Sequence, residues 1–271
     1  MLRSATELFG TKLAASDGDI GTVHDFLFDD ETWTVRYMVA DTGNWLTGRL
    51  VLLAPQALGH ADSGARYFPV NLTKQQIESS PPIEADLPVN RRHEIDINAH
   101  YGWRDYWGGG LITASTLGGF TQAAEPPGGD SQRLDQDRLA DQQARARQDE
   151  DIDHPELRSV RDVSGYDIES KTGQIGVVDD FLMDDADWTV RYMAVDTHKW
   201  LPSKDVLVSP GWIKKISWHD HAVIVDLGKQ KIEEAPEYKR GMHISRAYEE
   251  QLFRHYGLDP YWGKAAGAQR Y

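Results

Sequence analysis

The chain contains no cysteine. Its fold therefore has no disulfide framework, and neither a thiolate zinc site nor a cysteine nucleophile is open to it. Long apolar runs are missing too, since no stretch approaches the roughly 20 residues that cross a bilayer as a helix. The opening residues, Met1-Leu2-Arg3-Ser4-Ala5-Thr6-Glu7, lack the apolar core of a secretory signal. Together these absences lead us to expect a cytoplasmic protein. Positive charge is scarce: 29 Lys and Arg stand against 43 acidic residues, and a net charge of -14 repels phosphate backbones, which makes nucleic acid an unsuitable partner.

The short motifs of common catalysts are also absent. Gly108-Gly109-Gly110 and Gly118-Gly119 carry neither a Walker lysine nor a dinucleotide fingerprint. Neither Gly-x-Ser-x-Gly nor His-Glu-x-x-His occurs. Serine and histidine are scattered, so no residue set specifies a reaction. The expectation is a protein that is not an enzyme, with no catalytic residues, no cofactor and no resident metal.

What the chain does have is a duplication. Residues 2–108 read onto residues 157–263 at a constant offset of 155, without a gap. The best stretch pairs Gly18, Ile20, Gly21, Val23, Asp25, Phe26 and Leu27 with Gly173, Ile175, Gly176, Val178, Asp180, Phe181 and Leu182. It continues with Asp29, Asp30, Trp33, Thr34, Val35, Arg36, Tyr37, Met38, Asp41, Thr42, Trp45 and Leu46 against Asp184, Asp185, Trp188, Thr189, Val190, Arg191, Tyr192, Met193, Asp196, Thr197, Trp200 and Leu201. So long a period exceeds any solenoid unit, and each copy should be a domain in itself. The expected division is 1–108 for the first copy, 109–155 for a flexible or disordered linker rich in Gly, Pro, Gln and charge, and 156–271 for the second copy.

Within each copy the front half reads as strands. Ile20–Phe28 and Trp33–Ala40 are β-branched and aromatic, with the turn Asp29-Asp30-Glu31-Thr32 between them, and Ile175–Met183 and Trp188–Val195 repeat the pattern. Arg49–Leu53, Tyr67–Val70 and Ala222–Val225 add further strands. Helical chemistry comes later, at Lys74–Glu78, Lys229–Glu233 and, behind an N-cap serine, Ser245–Tyr256. Many short strands with few helices predict a mainly β fold, a small barrel or sandwich for each copy.

Several residues have chemistry to offer. The acidic turns Asp29-Asp30-Glu31 and Asp184-Asp185-Ala186-Asp187 suit a hard cation in ligand type, but lack EF-hand spacing, and solvated turn carboxylates are the plainer reading. Arg36 with Asp41, Arg191 with Asp196, and the paired Asp25 and Asp180 are expected to pin strand and turn geometry through charge-assisted bonds. His219-Asp220-His221 places two imidazoles on one face of a strand, without an identifiable third ligand. The unusual element is the tail of each copy, His100-Tyr101-Gly102 to Tyr106-Trp107-Gly108 and His255-Tyr256-Gly257 to Tyr261-Trp262-Gly263. Such a concentration of aromatics needs burial. Tyr101, Tyr106, Trp107, Tyr256, Tyr261 and Trp262 are therefore the candidate interaction surface, folded onto their own barrel or packed against the other barrel or another chain as a pseudo-symmetric pair or homodimer.

The order Gly-x-Ile-Gly-x-Val, Asp-Phe-Leu-x-Asp-Asp, Trp-x-Val-Arg-Tyr, Asp-Thr-x-x-Trp-Leu and Val-Leu-x-x-Pro resembles the PRC-barrel, a small β-barrel named after the photosynthetic reaction centre. That family also includes the C-terminal domain of the ribosome-maturation factor and many small bacterial proteins. The resemblance covers Leu2 to about Ser79 and Leu157 to about Glu234. It implies two PRC-type β-barrels, each with short helices and an aromatic C-terminal segment. It also implies a bacterial adaptor or assembly protein of unknown protein partner, with stress adaptation one setting. Three alternatives stand beside it: a ribosome or RNA-processing accessory, a reaction-centre-associated barrel protein, and a metal-dependent binder or enzyme using the acidic turns or His219 and His221.

Overall fold

A computed structural model describes residues 1–59, 67–83, 89, 91–107, 157–197 and 204–263. The expected linker, 109–155, lies outside the described residues, as do Trp200 and Leu201. Met1–Pro88 and Leu157–Tyr271 form one compact unit and Val89–Glu156 a second. Both copies therefore contribute to the first unit.

The first copy supplies β1 (Leu2–Ser4), β2 (Lys12–Ala15), β3 (Gly18–Asp29), β4 (Thr34–Asp41), β5 (Leu50–Leu53) and β6 (Tyr67–Pro69). The second supplies β7 (Leu157–Ser159), β8 (Asp167–Ser170), β9 (Gly173–Asp184), β10 (Thr189–Asp196), β11 (Asp205–Val208), β12 (Ile213–Ser217) and β13 (Ala222–Val225). The long hairpins β3–β4 and β9–β10 lie where alternating Val, Ile and aromatic residues place them. Their turns are tied by Asp29 Oδ1, which accepts from the backbone N–H of Glu31 and Thr32 at 3.0 and 2.9 Å, and by Asp184 Oδ1, which accepts from Ala186. Each turn ends on a tryptophan with left-handed backbone, Trp33 at φ 56° and Trp188 at φ 57°, a conformation that a bulky side chain rarely takes.

All thirteen strands among the described residues belong to one sheet, in the order β12-β13-β8-β9-β10-β4-β3-β2-β6, with β5 beside β4 and β11 beside β10. The hydrogen-bonded path is open. It passes from copy to copy where β4 and β10 meet head to head, Thr34 opposite Thr189. There the N–H of Val35 donates to Trp188 O, and the N–H of Val190 to Trp33 O, both at 2.8 Å. The left-handed tryptophans thus turn their carbonyls toward the other copy. Phe28 and Phe181 pack beneath this junction with ring centroids 5.4 Å apart, in a core whose largest fully buried side chains include Tyr37, Tyr192, Phe26, Phe28, Phe68 and Phe181.

The opening strands do not stay with their own copy. β1 pairs antiparallel with β9, Leu2 opposite Asp184 and Ser4 opposite Leu182. β7 pairs with β3 in the matching register, Leu157 opposite Asp29 and Ser159 opposite Leu27. The exchange is reciprocal. These three-residue strands, together with β2, β8 and β12, are too short for period-2 alternation to announce them.

In the second unit, the helix Arg91–Tyr101 is followed by residues 102–107, which carry Trp103, Tyr106 and Trp107. No helix among the described residues is long and apolar enough to cross a membrane.

The two glycines that close Gly-x-Ile-Gly are explained by close approach. A Cβ on Gly21 would lie 1.9 Å from Asp41 O, and one on Gly176 2.5 Å from Asp196 O. Gly21 also holds φ at +124°. Gly21→Ala should therefore destabilise the fold by about 2–4 kcal/mol through strain and a forced backbone shift. A urea titration should show its midpoint falling, while Gly43→Ala, at an open site, should shift it less.

Candidate functional site

Three groups of polar residues, each repeated in both copies, are the candidate sites. At the first, β3 and β9 each bury a carboxylate: Asp25 is 1% exposed and Asp180 fully buried. Asp25 accepts from Ser159 Oγ at 2.5 Å and from the Arg161 N–H at 3.2 Å, both of the second copy, and from its own neighbour Phe26 at 2.7 Å. Asp180 accepts from Ser4 Oγ at 2.5 Å, Thr6 N–H at 3.0 Å and Phe181 N–H at 2.7 Å. Each serine has a second task. Ser4 and Ser159 are the N-caps of the one-turn helices Ala5–Leu8 and Val160–Val163, accepting from the N–H of Glu7 and Asp162. Helix end, serine and carboxylate thus form one relay across the copies. Burial pushes the Asp25 carboxyl above its ordinary range, and the hydrogen bonds from Ser159, Phe26 and Arg161 oppose that push.

The second group is the acidic turns. Arg3 Nε donates to Asp185 at 2.7 Å and Arg158 Nε to Asp30 at 2.5 Å, each from the exchanged strand of the opposite copy. Arg36 donates to Asp29 at 2.9 Å, and Arg191 to Asp187. Burial alone would raise the Asp29 carboxyl, but hydrogen bonds from Arg36 and Thr32 outweigh it and hold it below the usual range. Its contribution to stability is therefore present above the unfolded carboxylate pKa and lost as pH falls through the lower folded value. As expected of residues that pin strand and turn geometry, Arg36 bonds Asp29, while Asp41 Oδ1 accepts from the Gly43 N–H and caps its own turn at 2.8 Å.

The third group holds the aromatic tails. In the second copy, Glu249 on the helix Arg246–Tyr256 accepts from Tyr192 Oη at 2.9 Å and Tyr261 Oη at 2.8 Å, and pairs with Arg246 at 3.0 Å. Arg191 lies 4.3 Å from the Tyr261 ring and Arg246 3.9 Å from that of Trp262. Phe253 meets Tyr261 and Trp262 edge on. Burial, then Glu249, pushes the Tyr261 phenol up to about 12 and that of Tyr192 further still. Tyr256 is buried at 2% exposure with its ring 4.1 Å from Trp212, so it forms no part of a free surface; Tyr261 and Trp262 are half-buried. Within the second unit the same residue types recur at offset 155. Arg91 pairs with Glu94 at 3.3 Å and stacks over Trp107 at 4.0 Å, Tyr106 Oη donates to Glu94 at 2.9 Å, and Tyr101 stacks on Trp103.

His219 and His221 are exposed in the turn between β12 and β13, where Asp220 accepts from Ser217 Oγ at 2.7 Å. Among the described residues, no group of three or more His, Asp or Glu is arranged to hold a metal. Sequence reasoning missed Glu94, Glu249, Arg91 and Arg246. Their signal was available, because Arg-x-x-Glu stands at the same distance before Tyr-Trp-Gly in both copies. It also missed Ser4 and Ser159, whose repeated Leu-Arg-Ser setting was the clue.

The PRC-barrel domain model matches residues 2–77 and, a second time, residues 155–232. An uncharacterized protein of Deinococcus radiodurans is 39% identical over 71 residues, which is 26% of this chain and 25% of that protein. The chain thus matches about a quarter of that relative's length.

Replacing Asp25 by alanine strands the Ser159 hydroxyl and two backbone donors in the core. The expected cost is about 2–4 kcal/mol, read from the denaturation midpoint. Ser159→Ala should cost less, since Asp25 keeps the Phe26 and Arg161 N–H donors. At high pH the Tyr261 phenol sets the direction: its stabilising share is complete below the unfolded value near 10 and is lost as pH rises toward about 12. Titration followed by phenolate absorbance should show the late-ionising tyrosines, and Glu249→Gln should bring Tyr261 back toward the ordinary range.

Proposed function

The chain belongs to the PRC-barrel domain family, and on that premise we propose that it is a non-catalytic binding and assembly protein of a bacterial cytoplasm. Each copy is read as one PRC-type barrel, completed by the opening strand of its twin and carrying an aromatic C-terminal segment. The observation that carries the proposal is the use made of the residues repeated in both copies. Asp25 and Asp180, Asp29 and Asp184, Arg36 and Arg191, and Glu94 and Glu249 all make hydrogen bonds or ion pairs that hold strands, turns and tails. Catalytic groups kept in duplicate would instead be aimed at a reacting atom. The partner is read as a protein, since the net charge of -14 disfavours polyanions.

The half-buried pairs Tyr106 with Trp107 and Tyr261 with Trp262, one in each unit, are the two surface patches assigned to that partner, each presented beside an arginine. Affinity capture from the native cell should recover a partner with the wild-type chain, and the Trp107→Ala/Trp262→Ala protein should lose it while keeping its far-ultraviolet circular dichroism. Equal capture by both proteins would move the surface elsewhere. Turnover of any compound in a broad substrate screen of the purified protein would overturn the non-catalytic reading.

A further inference from the structure

We propose that this chain pairs with a second copy of itself by exchanging whole repeats, so that the first repeat of one chain clasps the second repeat of another. The clasp consists of β1 on β9, β7 on β3, Ser4 on Asp180, Ser159 on Asp25, Arg3 on Asp185, Arg158 on Asp30, and the Trp33–Trp188 junction. Every one of these contacts joins a residue of the first repeat to a residue of the second. None depends on whether the two repeats belong to one chain.

Exchange between chains would therefore reproduce the same interface twice and close a two-fold dimer without a new contact. Only the route of residues 108–156 would differ. That length of chain can span roughly 150 Å when extended, enough for either connection. What favours the single chain is effective concentration, on the order of millimolar for tethered partners, so the paired form gains as chain concentration approaches that level. Two glycines mark where each exchanged segment returns to its own repeat: Gly10 donates to Val23 O and Gly165 to Val178 O, with φ +75° and +94°. The clasp is accordingly an interaction surface whose fitted partner is a second copy of this chain, whether or not the aromatic tails recruit another protein.

The absence of cysteine makes the test clean. One full-length population carries Leu2→Cys and another Asp184→Cys; these positions face each other across the β1–β9 pair. A disulfide at that site then requires two chains. Both populations are unfolded, mixed, refolded together at about 0.5 mM or at a thousandfold dilution, and oxidised. We expect covalent heterodimer at the higher concentration, at least tenfold above a control pairing Leu2→Cys with Ile95→Cys on an exposed position, and a marked drop on dilution. Yield equal to the control at both concentrations would overturn the proposal. The wild-type chain, refolded alongside, is measured by light scattering, which decides the matter should either variant fail to fold. A dimer fraction that rises with refolding concentration supports exchange, and a monomer at every concentration refutes it.

Discussion

A carboxylate removed from water has to recover through hydrogen bonds what hydration supplied, and Asp25 and Asp180 each recover two of their three such bonds from the opposite copy. Each is met by the hydroxyl and a backbone N–H of the opposite copy's opening segment. An isolated copy would leave that carboxylate facing either water or an empty edge of β3 or β9, and an unpaired buried charge is among the costlier faults a core can hold. The exchanged strands follow from this requirement. So does the single sheet, because strands crossing in both directions bring β4 and β10 together at Thr34 and Thr189.

The electrostatics of the acidic turns become intelligible from the same starting point. Six carboxylates crowded at the ends of two hairpins would repel one another in a chain already strongly negative. Arg3 and Arg158 arrive on the exchanged strands, while Arg36 and Arg191 arrive from the next strand of the same hairpin. Each turn thereby receives one guanidinium from each copy. Turn carboxylates that resembled cation ligands in sequence are acceptors for arginine, whose charge-assisted hydrogen bonds tie each turn to both copies.

Much of this architecture could be read in advance because it rests on local chemistry. The hairpins at β3–β4 and β9–β10 announced themselves through β-branched and aromatic residues on either side of an Asp-rich turn. The helix after Ser245 announced itself by its cap. The exchange could not be read that way. Leu2-Arg3-Ser4 and Leu157-Arg158-Ser159 are identical, so each fits either acceptor by local pattern, and a strand of three residues carries too little periodicity to specify a partner. Glu249 was hidden for a related reason: its partners Tyr192 and Tyr261 lie 57 and 12 residues away, and a lone glutamate on a charged helix looks solvated. Tyr256, by contrast, was visible as an aromatic needing burial, though Trp212 as its cover was not.

Identical donors raise the question of what keeps unlike repeats paired, and the answer lies where the duplication has diverged. Arg161 donates to His24 O at 2.5 Å and lies 4.4 Å from the ring of Phe9, which itself stacks on Phe26. At offset 155 the counterpart of Arg161 is Thr6 and that of Phe9 is Ser164. Pairing two first repeats would lose the guanidinium, and pairing two second repeats would lose the ring. The stack exists only when one repeat of each kind meets the other. A cation over a ring is worth about 0.5–1 kcal/mol at a partly exposed site, a modest preference that acts on every pairing event. Divergence after duplication has thus placed a discriminating contact at the crossing point itself.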